Sequence, residues 1–109
     1  MDNDWDSVQL RKIAAEQGTP LFVYSRQLLV DRANQIAKLE LPFGYTPRYA
    51  MKANNHPEII RMFHELGLHF DASSSYEASE LLAQGIPGES ISLSSQQPAH
   101  NLEEFCKRG

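Results

Sequence analysis

Gly67-Leu68-His69-Phe70-Asp71-Ala72-Ser73-Ser74-Ser75-Tyr76-Glu77 reads as a strand that runs directly into a capped helix. Successive side chains of a strand face opposite ways, so Leu68, Phe70 and Ala72 form an apolar face against His69, Asp71 and Ser73. Ser74 and Glu77 have the spacing of a capping box, and Ala78, Leu81 and Leu82 continue at helical intervals until Gly85. The same unit recurs on either side. Upstream, Arg48-Tyr49-Ala50-Met51-Lys52 is predicted as a strand with Tyr49 and Met51 on one face and Arg48, Ala50 and Lys52 on the other. Pro57 then opens a helix carrying Ile59, Ile60, Phe63 and Leu66, which Gly67 stops. Downstream, Ser90 to Ser94 forms a strand that sets Ile91 and Leu93 against Ser92 and Ser94, and a last helix runs from about Asn101 to Arg108. Strands alternating with helices imply βαβ units and a parallel sheet. A doubly wound sheet, covered on both faces, wants both faces apolar. Here one face is small or polar toward the strand ends, as in a barrel whose inward residues line the active-site mouth. The expected fold class is α/β, the N-terminal portion of a (β/α)8 TIM-type barrel with about three of its strands.

The chain before this region is organised differently. Asp6 and Gln9 resemble a capping box ahead of Leu10, Ile13 and Ala14, and Gly18 and Pro20 end that helix. Leu21-Phe22-Val23-Tyr24 is aromatic and β-branched, and is predicted as a strand. Ser25 caps a second helix with Leu28, Leu29, Ala33, Ile36 and Ala37 on its apolar face, which continues toward Pro42. Residues 1–44 thus hold a helix, a strand and a connecting helix, and residues 45–109 the first part of the barrel.

A barrel of this kind takes about 250 residues, and the chain has 109. It is therefore expected to be a piece of a longer protein, inactive alone, with open strand edges and apolar surface that favour self-association. The ending Cys106-Lys107-Arg108-Gly109 falls where a helix should hand over to the next strand. A net charge of −4 gives no basic field for nucleic acid or anionic lipid, so neither is an expected partner. No apolar run reaches the roughly 20 residues of a membrane span, and the acidic start Met1-Asp2-Asn3-Asp4 is unlike a secretory signal. The single cysteine excludes an internal disulfide, which fits a reducing cytoplasm.

Chemistry gathers at two strand ends. Of the four lysines, Lys12, Lys38, Lys52 and Lys107, only Lys52 is placed at the C-terminal end of a predicted strand on its inward face. An ammonium there is costly to desolvate. The next strand ends in Asp71, within reach if the strands are in register, since neighbouring strands lie about 4.8 Å apart. A structural Lys52–Asp71 ion pair and a lysine that forms a Schiff base with a carbonyl compound are both open on spacing alone. Glu77 has a structural role as the distal half of the capping box. Ser73, Ser74 and Ser75 cap the helix and line the strand end, with no histidine base placed to make any of them a nucleophile. Asn54 and Asn55 suit a turn or a ligand contact. His56, His64, His69 and His100 lack metal-ligand spacing, and no metal is expected. His69 shares the inward face with Asp71 and is expected to be packed and hydrogen-bonded, while Cys106 is expected as a buried, inert thiol. Gln96-Gln97-Pro98-Ala99 forms a loop on the active-site side.

Tyr49-Ala50-Met51-Lys52-Ala53-Asn54 resembles the cofactor-lysine motif of the fold-type III, alanine-racemase-like decarboxylases that depend on pyridoxal phosphate. Three further blocks match in order: Gly18 to Tyr24 is similar to that family's N-terminal strand, Gly67 to Glu77 to its second barrel strand and following acidic residue, and Gly85 to Ser94 to the entry to the third. The resemblance implies pyridoxal 5'-phosphate as cofactor, Lys52 as its Schiff-base lysine, Ala50 behind the ring, and Asp71 paired with the lysine. It also implies a small amino-acid substrate, a homodimer, and a C-terminal β domain that the leading helix and strand would join. An ordinary lysine, with a pKa of about 10.4, is protonated at neutral pH, and Schiff-base chemistry needs the free amine. Ala53-Asn54 and Gly18-Thr19-Pro20 favour conversion of meso-diaminopimelate to L-lysine. Ser75-Tyr76 stands where many diaminopimelate decarboxylases carry a glycine pair. The alternatives are an ornithine, lysine or arginine decarboxylase, a non-decarboxylating relative such as a racemase, and a non-catalytic regulatory or interaction protein derived from the fold.

Overall fold

A computed structural model describes residues 5–109. Helices α1 (Ser7–Gln17) and α2 (Arg26–Ala37) lead into β1 (Arg48–Ala50), a 3-10 turn (Met51–Ala53) and α3 (Pro57–Glu65). Then follow β2 (His69–Ala72), α4 (Ser75–Ala83), a second 3-10 turn (Gly88–Ser90), β3 (Ile91–Leu93) and α5 (Leu102–Lys107). The strands form one parallel sheet in the order β1-β2-β3. Sequential parallel order with a helix after each strand is the expected α/β succession.

Cap residues fix the helix starts. The Asp6 carboxylate accepts from the Val8 amide at α1, and the Ser25 hydroxyl from the Leu28 amide at α2. Pro57 occupies the first turn of α3, where its missing N–H and fixed φ suit the helix. Gly67, at φ 85°, turns the chain from α3 into β2, a left-handed conformation that a side chain would strain.

The core lies between the sheet and α3 and α4. Phe70, Met51, Ile60 and Leu81 are its largest fully buried side chains. Ile59, Met62 and Phe63 of α3, Ala72 of β2, Ala78 of α4, and Leu68 and Ile86 from the connections complete it, and Ala33 of α2 joins from the side. Tyr49, Ile91 and Leu93 pack against this cluster. The apolar strand face read from the sequence is therefore the helix-covered one.

Several boundaries differ from the sequence expectation. Leu21–Tyr24 joins no ladder, and Phe22 is 91% exposed. Strand propensity measures fit to a pleated, half-buried surface, and none of the described residues offers this segment a neighbouring strand. β1 stops at Ala50 instead of Lys52, because the chain tightens into the turn Met51–Ala53 that buries Met51 and leaves Lys52 exposed. α2 ends at Ala37, before the stretch leading to Pro42. Cys106 is exposed, not buried, because Phe105 is the α5 residue turned toward the core. The expected acidic start Met1–Asp4 lies outside the described residues.

Phe70 is fully buried at the centre of the sheet. Phe70→Ala is expected to cost about 3–5 kcal/mol by leaving a cavity, measured as the change in unfolding free energy of the full-length protein in denaturant.

Candidate functional site

The register decides which side chains meet. Asp71 stands opposite Ala50 on one side and Ser92 on the other. Its carboxylate faces away from Phe70 and Ala72, toward the ends of the strands. The Ser92 hydroxyl donates to Asp71 Oδ1 at 2.9 Å and the Ser94 hydroxyl to Oδ2 at 2.9 Å. Both carboxylate oxygens are thus bound by hydroxyls two residues apart, one in β3 and one just past its end.

Lys52 and Asp71 border the same cleft, of about 460 Å³, together with Ser73, Ser94, Ser95, Gln96 and Gln97. The ion pair between them that spacing left open is not formed. The β1 ladder ends at Ala50, the residue beside Asp71, so Lys52 lies one turn beyond it while Ser92 stands in the adjoining register position. The Lys52 amine has no hydrogen bond or ion pair among the described residues. Ala50 is half-buried and in register with Asp71, and is not among the side chains that border the cleft.

Two devices hold the cleft's rim. At the start of α4, the Ser74 hydroxyl accepts from the Glu77 amide at 3.2 Å, and the Glu77 carboxylate accepts from the Ser73 amide at 2.6 Å. Glu77 therefore has the structural role expected of it and fixes Ser73 at the strand end. After the Lys52 turn, the Tyr49 hydroxyl donates to the Asn54 carbonyl at 3.1 Å. The Tyr49 ring stands edge-on to Phe63 and Phe70, with centroids 4.7 Å and 6.3 Å away. Burial pushes the Tyr49 phenol above its ordinary value of 10.0; the Asn54 contact opposes the rise and Tyr24 adds to it. Asn54 Oδ1 accepts from the His56 amide at 3.0 Å and His56 Nδ1 from the Glu58 amide at 3.3 Å, so Asn54 has a turn role and His56 a cap role. Asn55 reaches Glu80 at 3.5 Å.

His69 is half-buried, but its Nδ1 has no hydrogen-bond partner, contrary to expectation. Among the described residues no group of three or more His, Cys, Asp or Glu side chains is placed to hold a metal ion. None of the described helices is long and apolar enough to cross a membrane. Sequence reasoning put Ser92 and Ser94 on the polar face of β3 without assigning them a role. Their parity together with the one-residue register to Asp71 was the signal available.

The pyridoxal-binding domain of pyridoxal-dependent decarboxylases matches residues 27–106. The chain is 35% identical over 92 residues to the diaminopimelate decarboxylase of Zymomonas mobilis, covering 82% of this chain and 22% of that protein. It is 31% identical over 88 residues to the diaminopimelate decarboxylase of Thermoplasma acidophilum, covering 77% of this chain and 21% of that one. The chain thus spans about a fifth of the length of the curated relatives it matches. A lysine/ornithine decarboxylase from Vibrio vulnificus, solved in complex with putrescine, has the same fold at TM-score 0.75 and 24% identity, over 94% of this chain and 28% of that one.

The raised Tyr49 value carries a pH signature. The folded chain holds the phenolic proton more tightly than the unfolded chain, so this contribution is full below about pH 10 and is lost as pH rises through the folded value. Tyr49→Phe is expected to lower stability at neutral pH and to flatten the alkaline loss above about pH 10, read from denaturation midpoints across that range.

Proposed function

Because the chain belongs to the pyridoxal-dependent decarboxylases, we propose that Lys52 is the lysine through which the whole protein carries its cofactor in an amino-acid decarboxylation. The observation that carries this reading is the Lys52 amine, exposed and without a partner among the described residues, at a polar cleft at the strand ends. An amine tied into an ion pair must leave its partner before it can attack an aldehyde; among the described residues no ion pair holds this one. The cleft suits a polar, aldehyde-bearing ring, with hydroxyls from Ser73, Ser94 and Ser95 and amides from Gln96 and Gln97 around it. When bound, pyridoxal phosphate supplies an electron sink for the pair released as carbon dioxide leaves.

The chain's own residues have distinct parts. Lys52 offers the amine that bonds the cofactor, and afterwards a mobile base and acid at the same place. Asp71 sets a fixed negative charge beside that amine, oriented by Ser92 and Ser94. Ala50, small and in register with Asp71, would back the cofactor without adding side-chain bulk. Residues 45–109 are read as the opening units of a (β/α)8 barrel and residues 1–44 as the segment that precedes it, in a protein that acts as a homodimer. The favoured substrate is meso-diaminopimelate, giving L-lysine, supported by Ala53-Asn54 and by the named relatives. A basic amino acid is the second reading, favoured by Ser75-Tyr76 in place of a glycine pair.

Borohydride reduction of the full-length protein loaded with pyridoxal phosphate is expected to fix the cofactor on the peptide that contains Lys52. Lys52→Ala should lose both the label and the visible absorbance, and an unchanged spectrum in that variant would sink the assignment. Carbon dioxide release from meso-diaminopimelate, compared with ornithine, lysine and arginine, decides the substrate.

A further inference from the structure

Among the side chains that border the cleft, Lys52 is the one cation and Asp71 the one anion. Left to themselves, an ammonium and a carboxylate on one wet surface attract each other only weakly. Here the carboxylate has other partners. Ser92 and Ser94 each give a hydroxyl to a different Asp71 oxygen, both at 2.9 Å. A hydroxyl-to-carboxylate bond is charge-assisted and stronger than a neutral one. The two donors come from β3 and just past its end, on the far side of β2 from β1, so they draw the carboxylate toward β3 and away from the lysine turn.

We propose that Ser92 and Ser94 are positioning residues: a two-hydroxyl clamp that holds Asp71 out of an ion pair with Lys52 and leaves the lysine amine open to an aldehyde. The clamp separates two demands on one site. The aspartate keeps a negative charge beside the cofactor lysine, and the lysine still reacts. Without the hydroxyls, Lys52 is the one cation that borders the same cleft as the Asp71 carboxylate. The inference rests on Lys52 acting through its free amine, as proposed above.

The test measures how fast Lys52 is captured, not turnover. Full-length protein stripped of cofactor is pulsed with pyridoxal phosphate, quenched with borohydride at intervals, and the labelled Lys52 peptide is quantified by mass spectrometry. Ser92→Ala with Ser94→Ala is expected to slow capture by roughly two- to fivefold, the scale of an exposed ion pair. Adding Asp71→Asn to that variant should restore the rate, and Ser92→Thr with Ser94→Thr, which keeps both hydroxyls, should stay near it. A double alanine variant that is captured at the parent rate overturns the clamp, as does a slow one that Asp71→Asn fails to relieve. If the double variant does not fold, Ser94→Ala at its exposed position, with and without Asp71→Asn, gives the same comparison. Failure of the parent protein to label at Lys52 would strike the proposed function, whereas normal labelling indifferent to the serines would strike the clamp alone.

Discussion

β2 is divided between two environments, and the division holds the rest in place. Phe70 and Ala72 are fully buried beneath the helices, whereas His69 and Asp71 stand on the opposite face. A slip of one residue would carry a carboxylate into the core and a phenyl ring into the cleft, so the apolar face fixes the register far more firmly than any polar contact could. With β2 fixed, Ala50 and Ser92 must flank Asp71, and the polar ends of all three strands open on one side. The cleft is thus a by-product of hydrophobic burial on the other side of the sheet.

That burial also reaches Lys52. The turn that carries it begins with Met51, which is fully buried, and is followed by Asn54, whose carbonyl accepts from Tyr49. Tyr49 is in turn packed edge-on against Phe63 and Phe70. An exposed amine is therefore mounted between two anchors in the core, one on each side in sequence. A flexible side chain on a fixed base suits a group that must reach different atoms from one starting place.

The parts legible from sequence are those that local physics decides. Alternation at Leu68 to Ala72, the caps at Asp6, Ser25 and Ser74, and Pro57 in the first turn of α3 each depend on neighbours in the chain, and each is as read. The apolar faces were legible for the same reason. What escaped depends on a partner distant in sequence. Leu21–Tyr24 has a strand's composition, but no described strand lies beside it. Asp71 had Lys52 as its evident counter-charge, yet pairing across β2 and β3 gave it two serines. Cys106 looked buried by its residue type, whereas the rotation of a single short helix decides between it and Phe105.

The cap at α4 has an electrostatic consequence for the cleft that Ser73 helps to line. The amino end of a helix carries partial positive charge and unsatisfied amide donors, which makes it a natural resting place for an anion. In this chain the Ser73 and Glu77 amides already give their protons to Glu77 and Ser74, so the helix end is served in part by the chain's own carboxylate and hydroxyl. The rim of the cleft beside α4 therefore carries a carboxylate already committed to one of the chain's own amides.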